Sequence, residues 1–431
     1  MFENVLGQAA TARLSADIRG GVLAPAMFFF GPPASGKGTA GLELARVLSC
    51  EAAAAWNCGC SACSRHRSLT HPDLLLLGSR SFSMESAAAA AALCREESPS
   101  TRFLFIRSVR KLTARFSPVL WEDDPKLGKL GGLVSSLEED LDELEALEGG
   151  KAEELEKLSR GIVKSVYKLE AEGIGELIPV AQIRRAAYWS RLAPSGRRKF
   201  ILIENAGRMQ ESGKNALLKL LEEPPERVAI VLTTIRREEL IPTVLSRLRP
   251  YRFVKRDAAV EAELIRRVFR GSGPGINAYL DSFLPVPEET LRALAAFFAA
   301  SISAASALQI RGKGRSLPEE LVELGRYAAP IAEAAGLGRP VTDIKGAAGR
   351  VLEGTDQFSV RFLFSHFLRL LLSMISGGVS PSPGRIGLSE LWLKETKEAE
   401  TAVDVYNQNP ALALERLGTE LRRSMADGFR R

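Results

Sequence analysis

One glycine-rich loop restricts this chain more than any other feature. Gly31-Pro32-Pro33-Ala34-Ser35-Gly36-Lys37-Gly38-Thr39 follows an apolar run, Ala26 to Phe30, and precedes a helical pattern from Ala40 to Leu48. A short apolar run that stops at glycine reads as a buried parallel strand. Strand, glycine loop and helix in that order make a phosphate cradle. The glycines let the backbone curl, successive N–H groups point at phosphate oxygens, the helix N-terminus adds partial positive charge, and Lys37 reaches the terminal phosphates. Gly31, Pro32, Ser35, Gly36, Lys37, Gly38 and Thr39 are therefore the expected nucleotide-binding residues. The usual loop carries Ser or Thr directly after its lysine to hold Mg2+. Here Gly38 stands there and Thr39 follows, an order also found in nucleoside-monophosphate kinases. How a metal would be held is left open.

Three further apolar runs, Leu74 to Leu77, Phe200 to Ile203 and Val228 to Leu232, are separated by helical patterns. A parallel sheet with crossover helices, an α/β fold, is expected. Beyond Phe253 the pattern is mostly helical, with breakers at 271–275 and 336–340, an apolar helix near Phe362 to Ile375, and a last helix opened by Asn409-Pro410. The expected divisions of the 431 residues are 1–257, a nucleotide-binding domain, 258–335, a small helical domain, and 336–431, a C-terminal helical domain. Hydrophobic residues at 45% and charged residues at 26% exclude a disordered or collagenous chain. A net charge of +6 permits nucleic-acid contact without demanding it. With no run of eighteen apolar residues and no basic-then-apolar start, no membrane contact and a cytoplasmic location are expected.

Residues 80 to 177 interrupt the α/β pattern with an alanine run, Ala87 to Ala92, and a dense acidic stretch. Leu137, Leu141 and Leu144, then Gly149-Gly150, then Leu155, Leu158, Ile162, Val166 and Leu169 predict two amphipathic helices in an antiparallel hairpin. It reads either as a partner-binding arm or as a tolerated surface insertion. Cys50, Cys58, Cys60 and Cys63 lie within fourteen residues of a chain lacking an export signal. Four thiolates suit one tetrahedral Zn2+, structural because no coordination position stays open, and His66 is close enough to compete. Cys94 is isolated and expected to be a small buried apolar residue.

The run Lys199 to Ile203 ends in Glu204-Asn205. In phosphate-loop ATPases this strand delivers an acid to Mg2+, and the next acid orients the attacking water. Glu204 can serve a metal, but Asn205 cannot act as a carboxylate base, which argues against fast hydrolysis. Lys214 to Pro225 reads as a helix stopped by proline, Thr233-Thr234 ends a strand, and Ser246-Arg247 follows.

Taken in chain order, these motifs resemble the bacterial DNA polymerase III clamp-loader subunits, gamma/tau and delta-prime, within the AAA+ ATPases. Val5-Leu6-Gly7-Gln8, the phosphate loop, the cysteine group, His71-Pro72-Asp73, Val180 to Arg184, Asn215 to Pro225, Thr233-Thr234, Ser246-Arg247 and Asn409 to Glu415 carry the resemblance. It implies an AAA+ P-loop domain, a small helical lid domain and a C-terminal helical collar. It also implies ATP with Mg2+ at subunit boundaries, and a hetero-oligomeric spiral with other clamp-loader subunits that opens the sliding clamp and places it on primed DNA. By the same resemblance, Lys37 contacts phosphate, Glu204 replaces the magnesium aspartate, Thr234 rather than Thr233 senses the terminal phosphate, and Arg247 acts in trans as an arginine finger on a neighbour's nucleotide. Glu204-Asn205, Gly38 and the lack of an identifiable lid arginine point to the delta-prime type, with weak or no hydrolysis of its own. The chain ends at Arg431, so the long tail of tau is not expected. The basic residues Arg184, Arg185, Arg191, Arg197, Arg198 and Lys199 could face DNA phosphates. A gamma/tau-type ATPase motor is the alternative. A P-loop small-molecule kinase is a distant one, since it leaves the cysteine group unexplained.

Overall fold

Five parallel strands organise the first half of the chain: β1 (Ala26–Phe30), β2 (Leu74–Gly78), β3 (Lys199–Glu204), β4 (Val228–Thr234) and β5 (Arg249–Arg252). The structure, a computed structural model, describes residues 1–122, 124–175, 177–353, 361–404 and 408–427. The strand order is β2-β3-β4-β1-β5 and every pairing is parallel. The four apolar runs read from the sequence are β1 to β4, continuous in hydrophobicity because both sheet faces are covered. β5 carries no such run. It is Arg249-Pro250-Tyr251-Arg252 at the sheet edge, where a proline without an N–H is tolerated.

Strand alternation sends side chains to two cores. Met27, Phe29, Leu76, Leu202 and Val231 pack with α1 (Ala9–Arg19) and α2 (Lys37–Ser49). Phe28, Leu75, Leu77, Ile203 and Leu232 share the opposite core. Each side chain fully buried this way contributes about 1.5–3 kcal/mol relative to exposure. After α3 (Ser61–Ser68) and β2, five helices intervene: α4 (Ser83–Arg95), α5 (Pro99–Thr113), α6 (Pro118–Trp121), α7 (Pro125–Ala146) and α8 (Ala152–Gly173). α9 (Val180–Arg191), α10 (Glu211–Glu222), α11 (Pro242–Leu245), α12 (Ala258–Phe269) and α13 (Ile276–Asp281) complete this part.

The expected hairpin is α7 and α8, which pack on each other. It is more than a surface insertion. Leu137, Leu141, Leu144, Leu155, Ile162, Val166 and Leu169 are buried in the same core as Ile201 and Ile203 of the sheet. Glu170 of α8 is buried and accepts from the N–H groups of Phe82 and Ser83. It thereby caps α4, whose first turn lacks intrahelical acceptors for these donors. Cys94 corrects an expectation, because it is exposed. The buried face of α4 is Ala88, Ala89, Ala92 and Leu93, and the next residue rotates off it.

Contacts divide the chain into Met1–Phe283 and Leu284–Arg431. The second unit holds α14 (Glu288–Gly312), α15 (Glu319–Ala334), α16 (Ile344–Glu353), α17 (Arg361–Gly378), α18 (Pro383–Asp404) and α19 (Pro410–Asp427). Among the described residues α14 alone is long and apolar enough to cross a bilayer, but 78% of its apolar window is buried inside the protein. It contacts α15, α16, α17 and α19, as a core helix does. Asn409 caps α19 as read from the sequence, its Oδ1 accepting from Ala411 N at 2.8 Å.

Candidate functional site

A pocket of about 530 Å³ opens over the glycine loop. Backbone geometry explains the glycines. Gly31 has φ +148°, and a Cβ there would strike the Phe253 carbonyl; Gly36, at φ +91°, is the N-cap of α2. Ser35, Gly36, Lys37, Gly38 and Thr39 line the pocket. Gly31 and Pro32 lie behind it and present their carbonyls to Lys37 Nζ, each at 2.6 Å. Ser35 Oγ donates to Pro32 O at 2.8 Å, tightening the turn. Burial pushes the Lys37 ammonium down to about 8, against the raising effect of Glu204 and Glu239.

Glu204 stands at the end of β3, as its sequence position requires, but its partners come from the inserted segment. Arg115, on the turn Ala114–Phe116 after α5, donates to Glu204 Oε2, and Arg80 Nε lies 3.4 Å from the same oxygen. Arg115 is 3% exposed and its Nε donates to Gly78 O at 3.1 Å. The guanidiniums of Arg80 and Arg115 lie 4.5 and 4.4 Å from the centroid of the Phe82 ring. Burial alone would raise the Glu204 carboxyl, but Arg80 and Arg115 hold it below the ordinary value. Arg80 also pairs with Glu85 at 2.8 Å, and Lys111 pairs with Glu85. A Cβ on Gly38 would strike Glu204 Oε1, so the carboxylate fills the space a hydroxyl would need. Mg2+ demands an octahedron of oxygens. The loop hydroxyl is Thr39 in place of a residue 38 hydroxyl, and the strand-end carboxylate is bound by arginine, so these residues do not make the usual Mg2+ site.

The sequence reading missed Arg80, Glu85, Lys111 and Arg115. A signal was present: Arg107, Lys111 and Arg115 recur every fourth residue and share one face of α5 and its continuation.

Asn205 lines the pocket at φ +50°; its N–H donates to Thr233 Oγ1 at 3.3 Å and its Nδ2 to Ser79 O at 2.6 Å. Thr233 lines the pocket, whereas Thr234 is turned away and donates to Arg236 O at 2.8 Å. Adjacent strand residues face opposite ways, so only one of the two threonines can serve there. Arg247 is not at this pocket. Its Nη2 donates to Glu222 Oε1 at 2.7 Å and its Nη1 to Thr243 O at 2.7 Å, which joins the Ser-Arg and Glu-Glu-Pro-Pro motifs at the surface. Of the basic cluster, Arg185, Arg197 and Lys199 donate to Leu120, Cys50 and Trp189 carbonyls of their own chain.

The four clustered cysteines converge. Their sulfurs all lie within 4.8 Å of one another, with Cys50 Sγ 3.6 Å from Cys58 Sγ. A tetrahedral zinc with sulfurs at about 2.3 Å spaces them by about 3.8 Å, so the donor set fits. The buried Arg46 Nη1 donates to Cys63 Sγ at 3.1 Å while its Nε and Nη2 hold Glu43 at 2.9 and 2.7 Å. Burial pushes the Cys60 thiol up, but the N–H groups of Glu51 and Cys63 outweigh it and bring it to about 6. His66 is outside the cluster. Its ring stacks on His71 with centroids 4.1 Å apart, and burial lowers it to about 3.

The family described as "DNA polymerase III, delta subunit" matches residues 137–257. The DNA polymerase III subunit gamma/tau of Mycobacterium tuberculosis is 31% identical over 88 residues, covering 20% of this chain and 15% of that protein. The DNA polymerase III subunit delta' of Pseudomonas aeruginosa is 33% identical over 99 residues, covering 23% of this chain and 30% of that protein. The chain thus aligns with less than a third of either relative's length. Among solved structures, a DNA polymerase III gamma subunit-related protein from Thermotoga maritima is 21% identical, covers 58% of this chain and 81% of that one, and gives a TM-score of 0.25.

Proposed function

We propose, from the premise that this chain belongs to the bacterial DNA polymerase III clamp-loader subunits, that it is a delta-prime-like member which does not turn over ATP itself. In this reading it joins a hetero-oligomeric spiral in the cytoplasm. The spiral opens the sliding clamp and places it on primed DNA, and this chain supplies Arg247 to a neighbour's nucleotide.

The carrying observation is the state of Glu204. Hydrolysis needs a carboxylate free to serve a metal and a second group to orient water. Glu204 is held by Arg115, and Asn205 spends its amide on Ser79 O. Arg247 fits a trans role: one third exposed and paired only with surface groups, it can exchange Glu222 for a phosphate without uncovering a buried charge. Cys50, Cys58, Cys60 and Cys63 would hold a structural Zn2+ that cross-links the loop after α2.

The test is the reconstituted complex. Arg247→Ala should lower the ATPase at the affected site by about a thousandfold or more and reduce clamp loading, with this chain's own nucleotide affinity unchanged. Unchanged ATPase removes Arg247 from the role. Single-turnover ATP hydrolysis by the purified chain, abolished by Lys37→Ala, would favour a gamma-type motor instead.

A further inference from the structure

We propose that the pocket over Gly31–Thr39 binds a nucleoside triphosphate without a magnesium ion, with Arg115 and Arg80 standing where a metal-using site keeps its cation. In metal-using P-loop sites the ion touches a loop hydroxyl, a strand-end carboxylate and phosphate oxygens. Neither protein donor stands in its usual place here, the loop hydroxyl being Thr39, one residue further on. Position 38 is glycine with Glu204 Oε1 against it, and Glu204 Oε2 is taken by Arg115. Arg115 cannot readily leave. Gly78 O, Lys111 O and the Phe82 ring fix it, and Trp121 Nε1 donates to its own carbonyl at 2.6 Å.

The pocket's charge suits an uncomplexed ligand. Eight Lys and Arg side chains line it against three carboxylates, an excess of five positive charges. A metal-free nucleoside triphosphate carries roughly four negative charges at neutral pH, since each phosphate is nearly fully ionised. The nearest cations to the loop are Lys37 at its base, Arg256 across its outer turn, and Arg80, Lys111 and Arg115 beside Glu204. The Arg115 and Arg80 donors are taken by Glu204, Glu85 and main-chain carbonyls, so the two guanidiniums meet the phosphates through their charge and not through a two-donor fork.

The wall beyond the phosphates points to a nucleoside and not to bare polyphosphate. Leu264, Val268, Ile276 and Leu280 from α12 and α13 line one side, and Phe103 and Ile235, each about two-fifths exposed, flank it. Apolar walls of this kind take up a flat ring, and about 530 Å³ lies within the range of small-ligand sites. The inserted segment then has a chemical purpose: it carries Arg80, Lys111 and Arg115 into the pocket, and α4 braces α12 and α13 through Ala88 and Ala92 against Ile265 and Tyr279.

The experiment is calorimetric titration of the full chain with the sodium salt of ATP, once in buffer free of Mg2+ and once in excess Mg2+, with no chelator in either so that the cysteine site is left intact. Binding is expected without Mg2+ and is weakened about tenfold by Mg2+, which neutralises charge the fixed cations would otherwise meet. Inorganic tripolyphosphate without Mg2+ should bind more weakly than ATP; equal affinity would overturn the nucleoside assignment. Arg115→Ala should weaken binding without Mg2+ by about tenfold, the loss of one nearby positive charge. Arg80→Ala, at a quarter-exposed position, gives the same reading should the Arg115 variant fail to fold. ATP binding that requires Mg2+, or no ATP binding in either buffer, overturns the proposal. The wild-type comparison alone decides this without any variant. Co-purification with clamp-loader subunits is read separately, so loss of this proposal leaves the assembly reading standing, and the reverse holds too.

Discussion

Arg115 and Glu204 form a buried ion pair although 89 residues separate them in the chain. One comes from the turn after α5 and the other from the end of β3. The pair joins the inserted helices to the pocket end of β3, and it decides what the strand-end carboxylate can do. A carboxylate paired with the buried Arg115 and with Arg80 is not available to a metal.

The first prediction follows from that dependence. Glu204→Gln keeps the shape of the side chain but leaves the buried Arg115 without a counter-charge, whereas Arg80 keeps Glu85. Breaking a buried pair from one side costs about 3–5 kcal/mol. The denaturant midpoint should fall accordingly with an unchanged slope. A fall of less than about 1 kcal/mol would mean that the pair behaves as a solvated one.

Gly38 offers a second test. Gly38→Ser restores the missing hydroxyl in sequence, but its Cβ lands on Glu204 Oε1. Overpacking of this kind costs about 1–3 kcal/mol, and no ATPase should appear. In a Glu204→Ala background the same serine should be tolerated, giving a coupling energy in a double-mutant cycle. Additive effects would refute the contact.

The cysteine group predicts metal content. Protein purified without chelator should contain about one zinc per chain, and a strong chelator should lower the melting temperature. Cys58→Ser should lose the metal, while Cys94→Ser, outside the cluster, should keep it. Zinc-free wild-type protein of full stability would reverse the assignment.

Acid should destabilise the protein through Glu85. Burial would raise this carboxyl, but Lys111 and Arg80 outweigh it and bring it from 4.5 to about 2. The unfolded chain therefore binds the proton first. The stabilisation is complete above pH 4.5 and is lost as the pH falls toward 2. Glu204, also lowered, acts in the same direction. Denaturant midpoints measured from pH 7 to pH 2.5 should fall most steeply below 4.5, and Glu85→Gln should flatten that fall.

Much of this was legible locally. The phosphate loop, the four buried strands, the hairpin of α7 and α8, the cap at Asn409 and the cysteine group each depend on residues close in sequence, and short-range geometry dictates them. β5 was not legible, because an edge strand needs no apolar run and Pro250 hides it. The exposure of Cys94 was not legible because a residue's face depends on rotation about a helix, which composition does not record.

The amino-acid sequence by itself determined the fold class, the presence of a phosphate loop, the lack of a second acid at Asn205 and the set of four thiols. Only the tertiary structure decided that Glu204 is bound by Arg115 and Arg80, that its oxygen fills the space above Gly38, and that the inserted helices line the pocket with positive charge. The reason is physical. Loops and helices follow from interactions over a few residues, whereas the charge state of a buried carboxylate is set by whichever distant cations the packed core brings within a few ångströms.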